Sequence, residues 1–204
     1  IIFDVVFSKP VTGFTNADVT LGGTAGATTV VVTGSGTTYT VSVSGMTVDG
    51  TVTATIAAGV AVDTVGNPNT ASASTDNTVL YGLTSPSVTI NQAVGQADPT
   101  SISPINFVVV FSKTVTGFTN ADVSLSGTAG ATTVVVTGSG ANYNVAVSGM
   151  TLPGTVIATI PAGAALDTTG NSNTASTSTD NSVLYDVTAP TVTINQAAGQ
   201  VDPS

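Results

Sequence analysis

Apolar and polar residues alternate along much of this chain. Ile105, Phe107, Val109 and Phe111 are interleaved with Asn106, Val108, Val110 and Ser112. The same period runs through Tyr143, Val145 and Val147 against Asn142, Asn144, Ala146 and Ser148, and through Val156, Ala158 and Ile160 against Thr155, Ile157 and Thr159. Successive side chains of a strand point to opposite faces, so a period of two in Val, Ile, Thr and Tyr predicts half-buried strands. No segment sustains the 3.6-residue period of an amphipathic helix, so no helix is expected. Gly138-Ser139-Gly140 and Pro153-Gly154 (Asp49-Gly50 earlier in the chain) supply hairpin turns. The strands expected are 87–93, 104–113, 122–128, 132–137, 141–148, 154–160 and 176–186.

The pattern occurs twice. Phe7-Ser8-Lys9, followed by Val11 to Val19, recurs at Phe111 to Val123, an offset of 104 residues, and 1–100 align on 105–204 without a gap and with 26 differences. Several differences, Ile2/Asn106, Thr40/Asn144, Ser42/Ala146 and Thr53/Ile157, fall on the face read as outward, where side-chain volume matters least. Seven short strands in about 100 residues match an immunoglobulin-type sandwich and exceed any solenoid or propeller period. Thr84-Ser85-Pro86 and Thr188-Ala189-Pro190 mark the joints, because proline fixes φ and cannot donate to a ladder. The fold class expected is therefore all-β, with tandem seven-stranded immunoglobulin-like β-sandwiches arranged end to end. The divisions are 1–83, a repeat lacking its first strand; 84–187, a complete repeat; and 188–204, the first strand of a following repeat. Residues 190–197 are expected to complete the sandwich of that next copy, through a continuous chain or by donated strand.

Composition narrows the chemistry. Apolar residues make up 41% of the chain and charged residues 6%, so a core is feasible and the surface is one of hydroxyls and amides. Every acidic residue is Asp, and Glu, Arg, His, Cys and Trp are absent. A net charge of −9 with Lys9 and Lys113 as the only cationic side chains excludes a phosphate-binding surface, so no nucleic-acid partner is expected. The His and Cys ligands of zinc, iron and copper sites are missing. Apolar runs such as Phe107 to Phe111 are too short to span a bilayer as a helix, so no membrane insertion is expected.

Phe-Ser-Lys-x-Val-Thr-Gly-Phe-Thr-Asn-Ala-Asp-Val, Gly-x-Gly-x-x-Tyr, Asp-x-x-Gly-Asn and Thr-x-Pro-x-Val-Thr-Ile together resemble the bacterial immunoglobulin-like repeats of giant surface adhesins and biofilm proteins. The resemblance covers essentially the whole chain, although the family usually has Glu where Lys9 and Lys113 stand. It implies an extracellular, cell-surface setting. Repeats would extend a stalk, with neighbouring repeats as partners and a distal domain binding an unidentified ligand. It also implies calcium at domain junctions, where the ion would stiffen the stalk.

The metal-ligand candidates are Asp63 and Asn67, Asp167 and Asn171, and Asp186 in the second joint. Calcium takes carboxylate and carbonyl oxygens, and Asp with Gly and Asn close by can wrap around it; an Asx/Gly turn is the competing reading. Gly82, at the position matching Asp186, weakens that last assignment. Asp98-Pro99 and Asp202-Pro203 read as turns, and Asp76-Asn77 and Asp180-Asn181 as solvent-facing. By parity Lys9 and Lys113 face the core side near a strand end; a snorkelling ammonium is expected there, not an isopeptide crosslink. Leu152-Pro153-Gly154-Thr155-Val156 departs from a sortase signal at Val156 and reads as a turn. Phe14 and Phe118 either plug a sandwich end or form a sugar-binding face. No cofactor is required by any motif, and an inventory without His, Glu or Cys predicts a chain that is not an enzyme.

Overall fold

The computed structural model describes residues 1–202, so Pro203 and Ser204, part of the expected 188–204 segment, lie outside the described residues. The described residues are all-β, and their only helical segments are three-residue 3-10 turns at Asn16–Asp18 and Asn120–Asp122. No described helix is long and apolar enough to cross a membrane. The strands are β1 Ile2–Thr12, β2 Val19–Gly22, β3 Thr29–Ser44, β4 Gly50–Ile56, β5 Val62–Asp63 and β6 Thr78–Tyr81. They continue as β7 Val88–Gln92, β8 Ile105–Thr116, β9 Ser124–Ser126, β10 Thr133–Ser148, β11 Gly154–Thr159, β12 Leu166–Asp167 and β13 Ser182–Tyr185.

Two compact units result, Ile1–Pro86 together with Leu166–Ser172, and Ser87–Ala165 together with the described residues from Asn173 onward. The main break falls at the Thr84-Ser85-Pro86 joint, while residues 166–172 of the expected 84–187 repeat group with the first unit. In the first unit β1 lies between β3 and β5, and β4 between β2 and β6. In the second, β8 lies between β10 on one side and β7 and β12 on the other, and β11 lies between β9 and β13, so β12 pairs with β8 as β5 does with β1. Inward residues of both sheets of a unit share one core: Val41, Val43 and Val52 in the first, and Ile90, Phe107, Val145, Val156 and Val183 in the second. This two-layer packing is consistent with a β-sandwich, the arrangement in which each sheet buries one face and leaves the other wet.

β3 and β10 are hairpins. A straight strand of 16 residues would span about 50 Å. Thr132 N nevertheless lies 3.1 Å from Ser148 O, and Thr28 N lies 3.1 Å from Ser44 O. The fold-back sits at the Gly-Ser-Gly sequence. Gly138 has φ 113°, and a Cβ there would lie 2.5 Å from Asn142 O, so only glycine fits. The expected strands 132–137 and 141–148 are the two arms. Elsewhere the expected 176–186 strand contracts to Ser182–Tyr185, because 176–180 bond irregularly: Ser176 N reaches Ile160 O, Thr177 N reaches Val88 O, and Asp180 O accepts from Gln92 N. The two-residue strands β5 and β12 are too short to carry a period and were not expected.

Lys9 shares the parity of Phe3, Val5, Phe7 and the buried Val11. Its side chain is 66% exposed, and the ammonium reaches the buried Asp63 carboxylate at 3.3 Å, the arrangement of a snorkelling lysine.

Candidate functional site

Asp63 closes β5 and opens a tight loop. Val62 bridges Pro68, Asp63 N donates to Asn67 O at 2.9 Å, and Gly66 takes φ 91°, which a side chain would resist. The carboxylate lies inside this loop. Its Oδ1 accepts from Val65 N at 3.0 Å and Asn67 N at 2.9 Å, and its Oδ2 accepts from Asn67 Nδ2 at 3.0 Å and Lys9 Nζ at 3.3 Å. The Asn67 amide and backbone, then Val65 N and Lys9, outweigh burial and hold this carboxyl well below the usual carboxylate range.

Asp167 repeats the arrangement with one change. Leu166 bridges Ser172, and Asp167 Oδ1 accepts from Thr169 N at 2.9 Å, Thr169 Oγ1 at 2.7 Å and Asn171 N at 2.9 Å. Asn171 Nδ2 reaches Oδ2 at 3.2 Å. Burial pushes this carboxyl up, but the Thr169 hydroxyl and the donors from Asn171 and Thr169 outweigh it and bring it well below the usual range. Thr169 Oγ1 does here what Val65 cannot.

The structure thus joins Asp63 to Asn67 and Asp167 to Asn171. Asp186 belongs to neither loop; it accepts from Thr188 N at 2.9 Å, and that bond lowers its pKa. A carboxylate has about four lone-pair sites, and four N–H or O–H donors approach each of these two carboxylates. Each loop therefore presents a carboxylate already satisfied by N–H and O–H groups, whereas calcium calls for six to eight oxygens. Among the described residues no group of three or more His, Cys, Asp or Glu gathers as a metal cluster.

Other candidates resolve into structure. Phe14 is buried and stands edge-on to Phe7 and Tyr39, with ring centroids 5.3 and 5.2 Å apart; Phe118, Phe111 and Tyr143 repeat the cluster. Asp98 ties the 98–100 segment down by accepting from Leu184 N at 2.9 Å.

Two kinds of residue were missed in the sequence. Asn173, only 2% exposed, donates from Nδ2 to Pro161 O and Thr174 O and accepts from Ala165 N, and Asn69 does the same in the first unit. The recurring Asn-x-Asn of 67–69 and 171–173 was the available signal. Asp49, read only as a turn residue, accepts from Leu83 N, Thr84 N and Thr84 Oγ1 and so fastens the end of the first unit. Pro153 stands at its matching position. A scan against family models and searches of curated proteins and of solved structures found no match to this chain.

Proposed function

We propose that the chain is a non-catalytic spacer from the stalk of a long extracellular adhesin or surface fibre, built of tandem immunoglobulin-like sandwiches. The observation that carries this reading is the strict 104-residue recurrence of elements: β3 and β10, β5 and β12, and β6 and β13 begin and end at matching positions. Fold-critical groups recur with them, including the aromatic cluster, the Gly-Ser-Gly hairpin and the Asp-x-x-Gly-Asn loop. Residues that differ lie mainly where volume is free to vary. A chain selected for such recurrence, with its polar groups spent on internal turns, suits a mechanical role in which each module must fold alike.

Burial of Phe14 and Phe118 counts against a sugar-binding face on that segment. The intact gene product's mass tests the proposal. A stalk carries many 104-residue periods, whereas a product of one or two units overturns the spacer reading.

A further inference from the structure

The hairpin strands β3 and β10 each stand at the end of a sheet. The second arm of β10 pairs with β8 from Asn142 to Val147, and that of β3 pairs with β1 from Thr38 to Ser42. The first arms are therefore the outermost strands. They carry one sequence, Ala-Thr-Thr-Val-Val-Val-Thr, at 27–33 and again at 131–137. It is rich in β-branched residues and has no charge, proline or glycine. No charged residue lies anywhere in 19–48 or 123–166. Val31 and Val135, on the outer face, are 46% and 48% exposed. An uncharged outermost strand of this kind is a template for pairing with another chain, and the usual safeguards, a lysine or a proline in the strand itself, are missing.

Each arm instead meets one side chain at its free edge. Val136 N donates to Asn120 Oδ1 at 2.7 Å, and Val32 N donates to Asn16 Oδ1 at 2.7 Å. Local structure fixes where those asparagines stand. Phe118, buried and edge-on to Phe111 and Tyr143, anchors the approach to Asn120. Thr119 then closes a capping box: its N and Oγ1 both donate to Asp122 Oδ2 at 2.7 Å, and Asp122 N donates to Thr119 O at 3.1 Å. Phe14, Thr15 and Asp18 build the same box around Asn16. Both 3-10 turns thus present an amide oxygen to a strand edge.

The arm's own sequence says what it would pair with. Thr133-Val134-Val135-Val136-Thr137 reads the same in both directions. Two copies laid antiparallel about Val135 set valine against valine and threonine against threonine, with Val134 opposite Val136. Val136 N faces the free edge, so the ladder bonds of that arrangement run through it. That N–H is the one Asn120 holds.

We infer that Asn16 and Asn120 are edge guards. Each occupies the N–H of Val32 or Val136 and so keeps its arm from adding to the same arm of a second copy of this chain. A neutral amide oxygen does this without placing a charge beside the half-buried Val134 and Val136. The inference is separate from the spacer reading, since it stands on the arm and the turn that meets it.

The test compares the Asn16→Ala/Asn120→Ala chain with its parent by sedimentation over a concentration series, with hydrogen exchange on residues 27–33 and 131–137. The variant should associate at a concentration about 10-fold lower than the parent, because each released N–H is free for a ladder bond. Exchange at Val32 and Val136 should quicken in the dilute variant and slow again on association. Asn16→Asp/Asn120→Asp keeps a side-chain oxygen as acceptor and should match the parent. Adding Val31→Lys/Val135→Lys to the alanine variant should return it to the parent's behaviour, since like charges would meet at the centre of the paired arms. An alanine variant that associates no more readily than the parent overturns the inference. So does association that the two lysines leave unchanged, which marks unfolding or another surface as its cause, or an aspartate variant that associates like the alanine one.

Discussion

The two units hold nearly the same sequence but different cores. The second unit's core has 18 buried residues and the first unit's has 9. Those nine, including Phe14, Tyr39, Val43 and Val52, all have buried counterparts 104 residues on. The nine without a match are Val88 and Ile90 of β7, the four β8 residues Ile105, Phe107, Val109 and Phe111, and Ala158, Ile160 and Val183 on the sheet across from them. Phe3, Val5, Phe7, Ala54, Ile56 and Val79 keep their identities but remain half-buried. One strand of five residues thus decides whether seven further side chains are core. Burial belongs to the set of neighbours, not to the residue.

The largest expected difference comes from cutting the same ring out of each unit. Phe107→Ala should destabilise the second unit by about 3–5 kcal/mol, and Phe3→Ala the first by about 1–2 kcal/mol, since a half-exposed ring leaves less cavity and loses less buried area. Urea unfolding of each variant against the parent measures both, and equal losses would erase the contrast.

Gly34→Ala and Gly138→Ala should behave in the opposite way. Both sites have positive φ and a Cβ would strike the facing arm, at Thr38 O or Asn142 O. Each should cost about 1–3 kcal/mol, matched between units, because the hairpins lie outside the asymmetric region. A large mismatch would show that the difference spreads beyond the β7 slot.

Acid should weaken both Asp-x-x-Gly-Asn loops. Asp63 and Asp167 have folded pKa values below their unfolded ones. Their contribution is therefore full above the unfolded value of about 4 and is lost as pH falls from there toward the folded values. Thermal midpoints between pH 7 and pH 2 should drop below about pH 4, and Asp63→Asn should flatten the first unit's share. A midpoint constant to pH 2 would contradict this.

Calcium should produce the smallest effect. Because an ion would have to displace N–H and O–H donors from both carboxylates, millimolar calcium in place of chelator should shift either midpoint by less than about 1 °C. A rise of several degrees would support the ligand reading of Asp63, Asn67, Asp167 and Asn171.

Much of this was legible in residue order because alternation records which face is inward. Ile105 to Phe111 and Tyr143 to Val147 are buried as their period predicts. Period does not report exposure: Lys9 shares the parity of Phe7 and Val11, yet its side chain is 66% exposed near the end of β1. It also cannot see Phe3, Val5 and Phe7 left half-covered, since alternation reports direction and not what stands opposite. The loops were found by their Asp-x-x-Gly-Asn spacing. Whether a carboxylate meets a cation or a ring of N–H groups depends on backbone direction within four residues, which spacing does not encode. Hydroxyl-to-backbone bonds such as Ser176 to Ile160 follow no period, and this is why the 176–186 strand was drawn too long.

The connection between β7 and β8 guards the second unit against strand exchange. Only the twelve residues 93–104 separate the two strands, so β7 faces its own slot at an effective concentration on the order of millimolar. A free strand at micromolar concentration cannot displace such a tethered rival from the second unit.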